Sequence, residues 1–183
     1  MSAPSGKKHI VLGVTGSIAA YKSADILRRL MENDFSVSVV MTKEAEHFIA
    51  PLTLEALSGR KVWTGSFQGW VKDGHMSHIS LAQDALAVLI APATANIIAK
   101  LAAGIADDVL TCAVLATTAP ILIAPAMNET MYHNRIVQEN CQKLKDHGFI
   151  FIHPVKGQLA CGIEGEGHLE ESENIVKILK TVI

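Results

Sequence analysis

Val88-Leu89-Ile90-Ala91-Pro92-Ala93-Thr94-Ala95-Asn96, followed by Ile97 to Ala103, decides how this chain folds. The approach from Ala85 to Ala91 is almost wholly apolar. That is the pattern of a strand buried on both faces in a parallel sheet. Pro92 has no N–H and a fixed φ, so the ladder is expected to stop there. Thr94 is placed to cap the next helix, in which Ile97, Ile98 and Leu101 recur at helical spacing. A strand that ends in small residues and opens a helix leaves backbone N–H groups at the carboxyl edge of a sheet. Open α/β folds hold anionic and planar ligands at that edge. A tight strand-to-helix turn without a ligand explains the same residues, and this stretch alone does not choose.

The same alternation extends in both directions. His9 to Val14 reads as a first strand, and Thr15-Gly16-Ser17 turns it into a helix with Ala20, Ala24, Leu27 and Met31 inward. Ser36 to Met41 is a second strand, and Lys43 to Ile49 and Leu52 to Leu57 are helical, the latter ending at Ser58-Gly59. Lys61 to Trp63 is a candidate edge strand, and residues 64 to 76, with Gly65, Gly69 and Gly74, read as a loop. Asp107-Asp108 starts a further helix, and Pro120 to Ala124 is a strand. Arg135 to His147 is an amphipathic helix closed by Gly148, and Phe149 to Ile152 is the next strand. A Gly-rich loop from Gly157 to Gly167 precedes a last helix, Ser172 to Val182. Strands alternating with helices imply right-handed crossovers and a parallel sheet, within one domain spanning residues 1–183. Strand order is not fixed by this pattern.

Composition narrows the function. Hydrophobic residues are 49% of the chain and charged residues only 19%, more apolar surface than a monomer of 183 residues readily hides. An oligomer is expected. Net charge is −2 and no basic run exceeds Lys7-Lys8, so neither nucleic acid nor an anionic membrane is expected as a partner. Pro92, Asn96 and Lys100 interrupt the longest apolar region, and residues 1 to 8 lack a signal-type apolar core. Three cysteines without a CxxC pair fit a reducing cytoplasm.

Several segments could carry chemistry. At Gly13-Val14-Thr15-Gly16-Ser17-Ile18, Gly16 permits close backbone approach, and the Ser17 hydroxyl with the first helical N–H groups can hold a phosphate. The segment is neither a GxGxxG nor a Walker loop, which weakens NAD and ATP readings. Thr42 stands at the matching end of the second strand. His75 and His78 lie three apart without an acidic or cysteine ligand at a recognised spacing, so no metal is expected. Taken alone, His78 reads more simply as a surface or structural histidine than as a base. Asn128 suits holding a carboxylate or amide, although its local setting reads first as a helix cap. Cys112 and Cys141 sit on helical faces as core residues. Cys161, in the Gly-rich loop with Glu164 and Glu166, reads as a reactive thiol that a flap could close over a ligand.

Together these segments resemble the flavin-dependent cysteine decarboxylases, over nearly the whole chain from about Lys8. The resemblance is carried by Gly13 to Lys22, His78-Ile79-Ser80-Leu81, Ala91 to Asn96, Pro125-Ala126-Met127-Asn128, and Ala160-Cys161-Gly162 with its spaced glycines. It implies a Rossmann-like, doubly wound parallel sheet in a three-layer α/β/α flavoprotein that binds FMN and assembles as trimers or as dodecamers of trimers. By the same resemblance, Gly16, Ser17 and Ile18 hold the FMN phosphate, and Thr42, Pro92, Ala93, Thr94, Ala95, Asn96 and Ala126 contact the rest of it. The implied activity is decarboxylation of 4′-phosphopantothenoylcysteine to 4′-phosphopantetheine in coenzyme A synthesis. It runs through thioaldehyde and enethiol intermediates, with FMN taking and returning a hydride.

The implied site follows residue by residue. His78, from a neighbouring subunit, acts as base or orienting group, and Asn128 holds the departing carboxylate. Cys161 supplies the final proton, and Met127, Ala160 and Gly162 line the substrate site beside Asn128. His168 stands where many bacterial relatives have arginine. Two other readings keep the flavin: oxidative decarboxylation of a peptide's C-terminal cysteine, and a non-catalytic regulatory subunit. Cys161 argues against the first, and the complete catalytic set against the second.

Overall fold

The computed structural model describes residues 8–65, 71–72, 75–76, 81–158 and 164–183. Its centre is β1 (His9–Val14), buried at every position. On one side β1 pairs in parallel with β2 (Ser36–Met41), and on the other with β5 (Ala87–Ala93), in the register Ile10 to Ala87 through Gly13 to Ile90. β6 (Ile121–Pro125) and β7 (Ile150–Phe151) extend the sheet, again in parallel, to the order β2-β1-β5-β6-β7. The chain winds outward from β1 to β2, then crosses back to β5. The winding therefore reverses between β1 and β5, and there the loops leaving the carboxyl ends diverge and open a crevice.

Both faces of the sheet are covered. Even-numbered β1 residues Ile10, Leu12 and Val14 pack with Ile26, Leu27 and Leu30 of α1 (Ser23–Glu32) and with Ile175 and Leu179 of α7 (Ser172–Val182). Leu54 of α2 (Pro51–Ser58) joins this cluster. The other face carries Val11, Val88, Ile90 and Ile123 against Ile97, Ile98 and Leu101 of α3 (Ala95–Ala103), Leu110 of α4 (Val109–Ala116), and Cys141 and Leu144 of α6 (Arg135–Asp146). Each such Leu or Ile contributes about 1.5–3 kcal/mol on full burial. Gly13 lets α4 lie close to the sheet, because a Cβ there would sit 2.7 Å from Leu110 Cδ1. The three-layer, doubly wound parallel architecture expected from the sequence is the one found. Among the described residues, no helix is long and apolar enough to cross a membrane.

Several local expectations are corrected. The ladder does not stop at Pro92: β5 runs to Ala93, which pairs with Pro125 after a register shift beyond Ile90. A shift in pairing accommodates a residue that cannot donate. The first helix begins as a tight 3₁₀ turn, Ile18–Lys22. That turn changes the helical phase, so Ser23, Ile26, Leu27 and Leu30 face inward and Met31 is exposed. Cys112 is only partly buried, its Sγ donating to Ala106 O at 3.5 Å, whereas Cys141 is in the core. Lys61 to Trp63 gives a single parallel bridge, Trp63 to Val40. The segments read as loops contain hairpins: β3 (Val71–Lys72) with β4 (His75–Met76), and β8 (Val155–Gln158) with β9 (Glu164–His168).

Candidate active site

The crevice between the ends of β1 and β5 is a cleft of about 970 Å³. Its first wall grows from the sheet. Thr15, immediately after β1 and 1% exposed, donates from Oγ1 to Pro92 O at 2.7 Å and accepts from Thr94 N at 3.1 Å. One hydroxyl thereby ties the two strand ends at the switch point. Ser23 Oγ, also buried, donates to Ala91 O at 2.9 Å and ties the start of α1 to the same strand. Thr94 accepts from Ile97 N at 3.3 Å and caps α3. Ser17 caps the 3₁₀ turn by accepting from Ala19 N, and donates to Ala126 O at 3.4 Å across the cleft floor.

Gly16, Ser17, Ile18, Thr42, Thr94, Ala95, Asn96 and Ala126 all line the cleft. Gly16 is required by space: a Cβ there would lie 2.6 Å from Glu44 Cβ and 3.0 Å from the Glu44 carbonyl carbon. Pro92 and Ala93 do not line it. They are buried beneath, with Pro92 O held by Thr15 and Ala93 O accepting from Ala126 N at 3.0 Å. Those two residues set the floor without facing the void.

The second wall comes from more distant parts of the chain. Met127 and Asn128 line it at the start of α5 (Glu129–Tyr132), with Met131, Gly167, His168 and Leu169. Asn128 caps α5, its Oδ1 accepting from Thr130 N at 2.9 Å and Met131 N at 3.4 Å. The local expectation of a cap is correct, and it is compatible with a ligand role. Capping orients the amide through Oδ1, and Nδ2 is the atom whose hydrogens suit a carboxylate. His78, Ala160, Cys161 and Gly162 lie outside the described residues.

Charge on the two walls differs. On the first, Lys100 forms a close pair with Asp107 (2.8 and 2.9 Å), and Asp108 is committed to the α4 cap through Thr111 N at 2.8 Å. Lys22, with a side chain 14% exposed, bridges the walls: its Nζ meets His168 Nε2 at 2.9 Å and Glu171 Oε1 at 3.4 Å. Thr15, Lys22 and His168 are among the site residues to which the reading from residue types gave no role. Thr15 follows directly on β1, a signal that was available. The pairing of Lys22 with His168 spans most of the chain and left no local mark.

Comparison with known proteins places the chain in a family. A family model described as "Flavoprotein" matches residues 1–183. The coenzyme A biosynthesis bifunctional protein CoaBC of Vibrio cholerae is 48% identical over 176 residues, covering 96% of this chain and 44% of that protein. The chain thus spans less than half the length of the curated relatives it matches. Among solved structures, a Cys-to-Ser mutant PPC decarboxylase complexed with pantothenoylaminoethenethiol superposes with a TM-score of 0.86 at 32% identity, covering 96% of this chain and 97% of that one. The FMN-dependent cysteine decarboxylase SpaF gives a TM-score of 0.80 at 31% identity, covering 94% and 97%.

Proposed function

This chain belongs to the flavoprotein family, and we propose that it decarboxylates 4′-phosphopantothenoylcysteine to 4′-phosphopantetheine, with FMN in the cleft between β1 and β5. The observation that carries this reading is that Asn128 lines the same cleft as Gly16, Ser17, Thr42, Thr94 and Asn96. An amide suited to a carboxylate and a strand edge suited to an anion then face one cleft, which supports the reading. CoaBC and the PPC decarboxylase, similar to this chain by sequence and by fold, support the substrate.

The residues present fit FMN. The first wall offers Gly16, the Ser17 hydroxyl and the backbone of the following turn to a phosphate. The cleft volume is of the size that small-molecule sites need. When bound, FMN supplies a reversible hydride acceptor. The chain's own residues do the rest. Asn128 donates to the substrate carboxylate and fixes the bond to be broken. His78, outside the described residues, acts as base or orienting donor, and Cys161, also outside them, gives a proton to the carbon that has lost CO₂. Substrate carboxylate and one proton in, CO₂ and product out, leaves no net oxidation.

The reading extends to assembly and place. The 183 residues act as one FMN-binding domain in a reducing cytoplasm, within trimers or dodecamers of trimers that bring His78 to a neighbour's cleft. Exposed apolar side chains such as Leu52 (72%), Ile136 (68%) and Tyr21 (59%) support a further covered surface. A monomer by light scattering of the yellow protein would remove the shared site.

The deciding experiment is the product mass after incubation with 4′-phosphopantothenoylcysteine. Loss of CO₂ alone is expected. Loss of CO₂ plus two hydrogens would overturn the completed cycle in favour of oxidative decarboxylation, and unchanged substrate from yellow protein would overturn the enzyme reading. Cys161→Ser should stop at the species lacking two hydrogens, and ordinary product from that variant would take the proton away from Cys161.

A further inference from the structure

The wall formed by Gly167 to Leu169 needs something to hold it, because it belongs to a two-stranded hairpin outside the main sheet. A two-stranded ribbon has little stability of its own. Its second strand is tied to the segment around Asn128 by a short set of contacts. Met127 N donates to Gly167 O at 3.0 Å. Glu166 N donates to Glu129 Oε1 at 3.0 Å, and His133 Nε2 lies 3.3 Å from Glu166 Oε2. Gly165 leaves room for the carboxylate, since a Cβ there would fall 2.7 Å from Glu129 Oε2.

We infer that Glu129 is a positioning residue whose carboxylate latches β9 to the start of α5 and so fixes the substrate-side wall of the cleft. A backbone N–H received by a carboxylate is a stronger bond than one between neutral groups, and this one replaces a partner that the strand lacks in the sheet. Asn128 is capped through Thr130 N and Met131 N, independently of the Glu129 side chain. Losing the carboxylate therefore frees the wall while leaving Asn128 anchored. Weaker substrate binding with chemistry preserved is the expected consequence: KM rises and kcat stays. A residue that served stability alone would lower the amount of holoenzyme and leave KM where it was.

The inference rests on the decarboxylase reading, and the test separates the two. CO₂ release from 4′-phosphopantothenoylcysteine is measured on purified yellow protein, with amide exchange at Glu166 followed in parallel. Glu129→Ala should raise KM about tenfold, the scale of one lost hydrogen bond. It should hold kcat within about twofold and accelerate exchange at Glu166. Glu129→Gln, which still offers an acceptor oxygen, should restore both. Gly165→Ala should raise KM in the otherwise unaltered chain but not beside Glu129→Ala, because the atom it strikes is then gone. Unchanged KM and exchange in Glu129→Ala, or failure of Gln to rescue, would overturn the latch. If Glu129→Ala yields no holoenzyme, unchanged KM in Gly165→Ala does so. Absence of CO₂ release from the unaltered protein would sink the substrate reading instead, and exchange at Glu166 would still decide the latch.

Discussion

The two walls of the cleft differ in how much of each the main sheet holds. The first, Thr15 to Ser17 and Thr94 to Asn96, follows directly on buried parallel strands and opens helical turns, so the sheet core holds it. The second combines Met127-Asn128, which also follow on a sheet strand, β6, with Gly167 to Leu169 at the end of a hairpin that, among the described residues, pairs with no strand of the main sheet. Thr15 ties the strand ends of the first wall to each other, whereas in the second the bonds of Met127 to Gly167, Glu129 to Glu166 and Lys22 to His168 hold a segment that lies outside the sheet. A ligand held mainly by the first wall meets a prearranged surface, whereas one held by the second depends on contacts that single substitutions can undo.

The sharpest way to test this division is Asn128→Asp. Aspartate caps a helix as well as asparagine, so the wall should stand, but the Nδ2 donor is replaced by a negative oxygen facing a carboxylate. Turnover should fall about a hundredfold or more while the protein stays yellow, the usual scale for losing a group that holds developing charge. Loss of the flavin along with activity would show that the walls are not separable. Thr15→Val probes the first wall. It strands a buried carbonyl, Pro92 O, and the N–H of Thr94, which should cost about 1–3 kcal/mol of stability in urea unfolding. It should also weaken flavin retention with little effect on KM for substrate, and the reverse pattern would break the comparison.

The smallest effect belongs to the sheet beneath both walls. His9, at the amino end of β1 and 8% exposed, contacts Asp84 O at 3.2 Å and Ser38 Oγ at 2.9 Å. Burial pushes its pKa down, partly offset by the Asp84 carbonyl. The unfolded chain therefore binds the proton more readily. The stability that neutral His9 allows is present above the ordinary imidazole value of roughly 6.5 and is lost as pH falls from there through the lower folded-state value. Urea midpoints taken from pH 7.5 down to about 5.5 should decline less steeply in His9→Gln. Equal slopes would show that His9 does not set this dependence.

Much of this molecule was legible as sequence, for a local reason. The apolar runs at 9–14 and 85–91, the caps at Thr94 and Asp108, and the closing glycines Gly59 and Gly148 each act within one turn of themselves. The first wall is the direct continuation of those elements, which is why Gly16 and Ser17 could be named from residue types, while Thr94 as a cleft residue and Asn96 came from the resemblance. Where phase or pairing was decided at a distance, local reading failed. Met31 was turned outward by a 3₁₀ turn begun at Ile18, and Pro92 was carried within a strand by its neighbour β6. The glycines from Gly157 to Gly167, read as a loop, include paired strands whose partners only the folded chain supplies.

The amino-acid sequence by itself determined that this protein is a parallel α/β fold whose first strand turns at Thr15-Gly16-Ser17 into a helical segment, because hydrophobic period and helix starts are written within a few residues. Tertiary structure alone decided the strand order that puts the cleft between β1 and β5, the place of the Asn128 cap on that cleft, and the contacts of Glu129 and His168 along its second wall. Those depend on backbone groups finding partners many residues away, a choice made by mutual burial and hydrogen bonding that no local stretch encodes.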